Sequence, residues 1–249
     1  MNLPRPLLSL LCLAASALAQ APVLPQPFGE TATRTFPFSM TGKLIFAQGD
    51  DWFQGSGTVI RPQSVLTAAH NLWGPERGFS TDLIFRRAFY EEPAVRDVAA
   101  SRVYVMKGYR EKAKRLDPTD VRTFSDDLGG IVFAAPVAAG SHAGWWANPA
   151  LLTAAKPGVA LGYGAEMHDG SLLLAVSPEA GYVPVAESFF ANRSLNFEAG
   201  MSGGPVFTSN GAGALTLAGV VVAGAVDSSS GGIRVLDEKA AGFIRTFLR

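Results

Sequence analysis

One serine in this chain sits where a hydroxyl could be made into a nucleophile. Ser202 lies in E-A-G-M-S-G-G-P-V-F, residues 198–207, with Gly200 two positions before it and Gly203, Gly204 and Pro205 just after. A serine hydroxyl is a weak nucleophile at neutral pH and needs a base beside it and a group that orients the base. Attack on a carbonyl also needs donors aimed at the oxyanion that develops. The backbone amides of Gly200 and Ser202 could supply them if the chain bends sharply there, and glycine permits such a bend, including at positive φ.

Three histidines are available as the base, His70, His142 and His168, and all precede Ser202. This order excludes one attractive reading. G-M-S-G-G also fits the G-x-S-x-G nucleophile elbow, which requires a strand before it, a helix after it and a later histidine. Here Pro205 opposes a helix and no histidine follows. His142 lies in a loose Gly/Ala segment and His168 in the turn-like E-M-H-D-G, so both read as structural. His70 ends the run S-V-L-T-A-A-H. The scattered histidines offer no metal-ligand spacing, and there is no G-x-x-x-x-G-K-[ST] phosphate loop, so neither a metal nor another cofactor is expected.

The elements that would position these residues read as strands. Candidates are 42–47, 53–60, 64–69, 82–86, 101–106 and 128–133, then 158–164, 171–176, 181–185, 204–207 and 217–224. Short apolar runs separated by turn residues argue an all-β barrel or sandwich. The basic stretch 107–122 reads as a solvated loop, and 134–144 as a connector between halves. Only the last stretch changes period: Ala241, Phe243, Ile244, Phe247 and Leu248 recur at helical spacing, which predicts a C-terminal helix.

Three blocks in this order, G-S-G-T-V-I with V-L-T-A-A-H, then D-L-G-G-I-V-F, then G-M-S-G-G-P-V-F, resemble the trypsin/chymotrypsin-like serine peptidases. The resemblance spans roughly residues 40–249 and is thin between the blocks. It implies two antiparallel six-stranded Greek-key β-barrels with the site between them, 36–140 forming the first and 141–249 the second with the terminal helix. It implies His70 as general base, Ser202 as nucleophile, and Gly200 and Ser202 as oxyanion-hole donors. It implies Asp127 as the acid that orients the imidazole, with Asp126 as its rival, because the family's acid directly precedes a hydrophobic strand and Leu128 begins one. The implied activity is peptide-bond hydrolysis through an acyl-enzyme, by a monomer acting on protein or peptide substrates.

The chain departs from the animal members of that family. Met201 stands where they carry an aspartate that pairs with a newly cut N-terminus, so that activation switch has no counterpart. The resemblance places the floor of the primary pocket at Asn196 and its wall at Val222, Ala223 and Gly224. No acid at the floor argues against cleavage after Lys or Arg. G-V-V-V-A-G carries no histidine, unlike the glutamyl endopeptidases of the bacterial cysteine-free branch, which the chain otherwise resembles. A small or medium apolar residue is the expected preference. A non-catalytic binding protein of this fold is the competing reading, and a serine esterase or structural β protein a third.

The chain begins with a basic Arg5 and an apolar run ending in Ala17-Leu18-Ala19, which predicts a signal peptide over 1–19. Residues 20–35, rich in Pro and polar residues, read as an extended arm or pro-segment. Cys12 is the one cysteine and would leave with the leader, so the secreted or periplasmic product would rely on its core rather than disulfides. The 249 residues carry 21 basic and 21 acidic side chains; losing Arg5 leaves 20 against 21. Such a balance points to no nucleic-acid or membrane-surface partner.

Overall fold

The structure is a computed structural model, and it describes residues 23–91, 97–117, 119–153, 158–224 and 230–248. The expected leader, 1–19, lies outside the described residues.

In chain order the strands are β1 (Gln26–Pro27), β2 (Thr41–Gln48), β3 (Asp51–Arg61), β4 (Ser64–Thr67), β5 (Trp73–Gly74), β6 (Gly78–Phe79), β7 (Thr81–Arg87), β8 (Ala100–Val105) and β9 (Gly129–Phe133) in the first half. The second half adds β10 (Val159–Gly162), β11 (Leu174–Val176), β12 (Val183–Ala186), β13 (Phe189–Asn192), β14 (Pro205–Ser209), β15 (Leu215–Gly224) and β16 (Gly231–Val235). Four helices, α1 (Glu30–Thr33), α2 (Lys107–Ala113), α3 (Val121–Phe124) and α4 (Glu238–Phe247), complete the described secondary structure apart from single 3-10 turns.

The first sheet has six strands in the order β7-β2-β3-β4-β9-β8, every pairing antiparallel. Strand β3 shows why it curls: Gly55, Ser56 and Gly57 allow close approach, and beyond them Thr58, Val59 and Ile60 are all buried. The second sheet runs β1-β11-β10-β14-β15-β16-β13-β12. It has eight segments where six strands were expected. One addition is β1, contributed by the N-terminal arm. β11 and β12, near the two ends of the order, both come from one stretch of chain, 174–186.

The arm is docked rather than free. Val23 forms a parallel bridge with Leu195, and β1 pairs with β11. At the other terminus Asp237 caps α4 by accepting from the amide of Ala240 at 2.8 Å, and Ala240, Ala241, Ile244 and Phe247 are buried. Phe247 stacks on Tyr104 of β8 with ring centroids 5.5 Å apart, so the helix that ends the second half packs on the first.

The basic stretch 107–122 is not the solvated loop expected from its charge. It contains α2 and the first half of α3, and two of its side chains face inward. Tyr109 is buried edge-on against Trp73, and Lys112 reaches the buried Asp126. Charge density misled here because a lysine can bury its stem and still present its ammonium to a partner.

No helix among the described residues is long and apolar enough to cross a membrane.

Candidate active site

His70 is carried on a 3-10 turn, Ala69–Asn71, directly after β4. The turn is pinned on three sides. The His70 amide donates to Asp127 Oδ1 at 3.0 Å, Gln48 Nε2 donates to the His70 carbonyl at 3.0 Å, and Ser80 Oγ donates to the Asn71 carbonyl at 2.8 Å. The imidazole Nδ1 lies 2.6 Å from Asp127 Oδ2. An ionised carboxylate can only accept, so Nδ1 carries the hydrogen and Nε2 keeps its lone pair. Burial works against a charged ring, but the Asp127 carboxylate, through its charge and its hydrogen bond, outweighs it and holds the His70 pKa above the ordinary imidazole value.

Asp126 and Asp127 have separate occupations. Asp127 is fully buried against His70. Asp126, 1% exposed, lies 2.7 Å from Lys112 Nζ and 2.5 Å from Lys239 Nζ, which ties α2 and α4 to the acid-bearing loop. Burial alone would raise the Asp126 pKa, but hydrogen bonds from the two lysines and their charges bring it below the usual carboxylate value. A depressed folded pKa contributes stability above the unfolded value of about 3.9 and loses it as pH falls through the folded value. Replacing both lysines by methionine strands a buried carboxylate. Unfolding stability at pH 7 is expected to fall by roughly 2–3 kcal/mol, a figure reduced because the lysines are partly exposed. Urea denaturation at pH 7 and pH 3 checks it: the loss should shrink in acid.

The loop that carries Ser202 is held by the first barrel. The Ser202 carbonyl accepts from the Ser56 amide at 2.8 Å and from Asn71 Nδ2 at 2.9 Å. Asn71 Nδ2 also donates to Thr67 Oγ1 at 3.0 Å, and Thr67 Oγ1 donates to the Ser56 carbonyl at 2.7 Å. Gly203 sits inside this network at φ +88°, where a Cβ would lie 2.1 Å from both the Ser56 carbonyl oxygen and Thr67 Oγ1. No side chain fits there. Met201, instead of standing at an ion pair, is fully buried in the second core with Leu152, Val206 and Ile233. Apolar packing therefore anchors the loop where the animal enzymes use a charge.

The amides along this loop alternate. Met201 N–H donates to Glu198 O, Gly203 N–H to Val221 O and Gly204 N–H to Met201 O, while those of Gly200 and Ser202 donate to no protein group among the described residues. The carbonyl of Ala199 accepts from Ala165 N–H at 2.7 Å, and that of Met201 from Gly204 N–H at 2.9 Å. In a trans peptide the C=O and the following N–H point in opposite directions. The Gly200 and Ser202 amides are thus turned away from those partners and left available.

His70, Asp127 and Ser202 line one cavity of about 310 Å³, together with Val222, Ala223 and Gly224. Among the described residues the Ser202 hydroxyl is not part of the hydrogen-bond network; catalytic contacts of this kind commonly tighten only when substrate is bound. Asn196 is buried, does not line this cavity, and among the described residues its Oδ1 has no hydrogen-bond partner. His142 and His168 lie elsewhere and do not line it. The cavity also contains Pro75, Tyr109, Ala113, Thr123 and Phe124. These, with the positioning groups Ser56, Thr67 and Asn71, escaped the sequence reading. Tyr109 belonged to a stretch that looked solvated. Ser56 and Thr67 were inside the quoted blocks and Asn71 directly follows one, and their one signal was being small polar residues in or next to otherwise apolar or glycine-rich runs. Burial and the Asp127 charge push the Tyr109 hydroxyl pKa up, so it stays neutral beside the acid. Among the described residues no group of His, Cys, Asp or Glu is assembled to hold a metal ion.

The family model described as Trypsin matches residues 30–237. A search of curated proteins returned no match. Solved structures similar to this chain include a Glu endopeptidase in complex with MPD, with a TM-score of 0.72 and 15% identity over 89% of this chain and 95% of the other. The protease Anisep from Arthrobacter nicotinovorans has a TM-score of 0.68 and 20% identity over 84% and 94%. A thermostable serine protease, AL20, from an extremophilic microorganism has a TM-score of 0.65 and 20% identity over 84% and 96%. At these identities the likeness to the solved structures shows the fold.

Proposed function

We propose that this chain, which belongs to the trypsin family, is an exported serine endopeptidase in which His70, Asp127 and Ser202 act together. The observation that carries the reading is the 2.6 Å contact between His70 Nδ1 and a fully buried Asp127 oxygen, in the cavity that also holds Ser202. It leaves the lone pair of His70 Nε2 free to take the Ser202 proton.

Hydrolysis then runs in two halves. Ser202 Oγ attacks the scissile carbonyl as its proton passes to His70, and the resulting imidazolium is stabilised by Asp127. The amides of Gly200 and Ser202 donate to the oxyanion. Collapse transfers the proton from His70 to the leaving amine and leaves an ester on Ser202. Water, deprotonated by His70, releases the acid product and restores the hydroxyl. Export to the periplasm or medium rests on the leader-like residues 1–19.

Labelling with a serine-directed fluorophosphonate tests the reading. The mature protein is expected to label and Ser202→Ala not to. A folded wild type that fails to label, both with and without the 20–35 arm, would favour the competing reading, a binding protein of this fold.

A further inference from the structure

Among the described residues, strand β15 has one bonded edge beyond Val221. Ala223 lies opposite Gly232 and Gly224 opposite Gly231 on β16, whereas β14 begins at Pro205, opposite Val220. On that side the last bonds are Val221 N–H to Gly204 O and Gly203 N–H to Val221 O. Val222–Gly224 therefore offer a free strand edge in the cavity of Ser202. An extended peptide can add to such an edge, with alternate side chains entering flanking pockets.

Beside this edge, the end of the β15–β16 ladder lies against Phe197 in the segment leading to Ser202. Gly224 and Gly231 are directly paired, so a Cβ on each would point to the same face. On Gly224 it would lie 2.4 Å from the Phe197 carbonyl oxygen; on Gly231, 2.7 Å from the Phe197 ring. Phe197 is 4% exposed and packs with Met201, Val221 and Ile233. Its segment is held in place: Asn196 N–H donates to Val23 O, Met201 N–H to Glu198 O, and Met167 N–H to Glu198 Oε2.

We infer that Phe197 determines specificity, its ring occupying the primary side-chain pocket so that the cleaved bond follows glycine, alanine or serine. The inference rests on the peptidase reading and gives it a substrate class: polypeptides with small residues at the cleaved position. Glycine is then required at 231 by the Phe197 ring and at 224 by the Phe197 carbonyl, rather than by an incoming side chain.

Matched peptides differing only at the cleaved position (Gly, Ala, Leu, Phe) test it, in wild type, Phe197→Ala and Phe197→Leu. The ratio of kcat/KM between two substrates within one preparation does not depend on the folded fraction. Wild type is expected to favour Ala over Phe by about 100-fold or more, and Phe197→Ala to narrow that ratio at least about 10-fold by gaining on Phe. Equal cleavage after Ala and Phe by wild type, or an unchanged ratio in both variants, overturns the inference. A wild type that neither cleaves nor labels overturns the peptidase reading instead. Calorimetry on Ser202→Ala then decides the pocket. Tighter binding of peptides ending in Ala than in Phe, with the preference lost in Ser202→Ala/Phe197→Ala, supports it; equal binding, or none, overturns it.

Discussion

Asp127→Asn is expected to lower kcat by about 10⁴-fold while leaving the fold and the Ser202 hydroxyl in place. The reason lies in what each side chain can do at the 2.6 Å contact. A carboxylate accepts from Nδ1–H and leaves the Nε2 lone pair for the Ser202 proton. An amide can turn its NH2 toward Nδ1, which then must accept, so the proton moves to Nε2 and the base is lost. The same substitution has a pH signature. In the proposed mechanism activity requires neutral His70, whose pKa is raised, so the acid limb of kcat/KM should lie above about pH 6.5. With the carboxylate gone, burial alone acts on the ring and lowers its pKa, so the residual activity of Asp127→Asn should have its limb below about pH 6.5. Stability runs the other way. A raised histidine pKa stabilises the fold fully below about pH 6.5, and that contribution fades as pH rises through the folded value. Rate–pH profiles of the two proteins, with urea denaturation at pH 5.5 and 8.5, check both signs. A limb unmoved by the substitution would mean that Asp127 does not set the charge of His70.

The two aspartates show where legibility in the sequence ended. Nothing in their types separates Asp126 from Asp127; only a preference drawn from family resemblance favoured the second. The structure separates them by partner: His70 for one, Lys112 and Lys239 for the other. Those lysines come from α2 and α4, 14 and 113 residues away in the chain, and local pattern cannot supply such contacts. The fold was more legible. Apolar runs at 42–47, 53–60 and 217–224 became β2, β3 and β15, because alternation and β-branching act locally. Strands β13 and β16 were missed. Phe189–Asn192 is four residues long, and G-G-I-R-V opens with two glycines and carries a fully buried arginine, a composition that argues against a strand. Tertiary contact overrode propensity there: Gly231 and Gly232 are small because Phe197 and Phe189 press on them. Arg234 is tolerated because it donates to Asp237 at 3.1 Å and to the Val235 carbonyl.

Gly200→Ala should cost about 10²–10³-fold in kcat, the loss seen when one oxyanion donor is removed, with a much smaller change in KM. Gly200 lies at φ +91°, and a Cβ there would sit 2.4 Å from the Tyr163 carbonyl oxygen and 2.9 Å from Gln54 Nε2. The Tyr163 oxygen belongs to backbone whose amide donates to Ser56 Oγ at 2.8 Å, and Ser56 Oγ in turn donates to the Gly200 carbonyl at 2.8 Å. The obstacle therefore cannot step aside, and the alanine must rotate its own peptide. Rotation of the Ala199–Gly200 peptide breaks the bond from Ala165 N–H and swings the residue-200 amide off its present direction. The Ser202 amide, fixed by the Met201 carbonyl bonded to Gly204, stays where it is. One of two donors is lost, and because it acts on charge that exists only in the transition state, the loss falls on kcat. Ser56→Ala offers the contrast. It removes the tie to the Gly200 carbonyl without adding a clash, so its loss in kcat should be smaller. Steady-state kinetics on one peptide substrate, with unfolding curves for each variant, separates the cases. A Gly200→Ala protein of wild-type kcat would show that its amide is no part of the site.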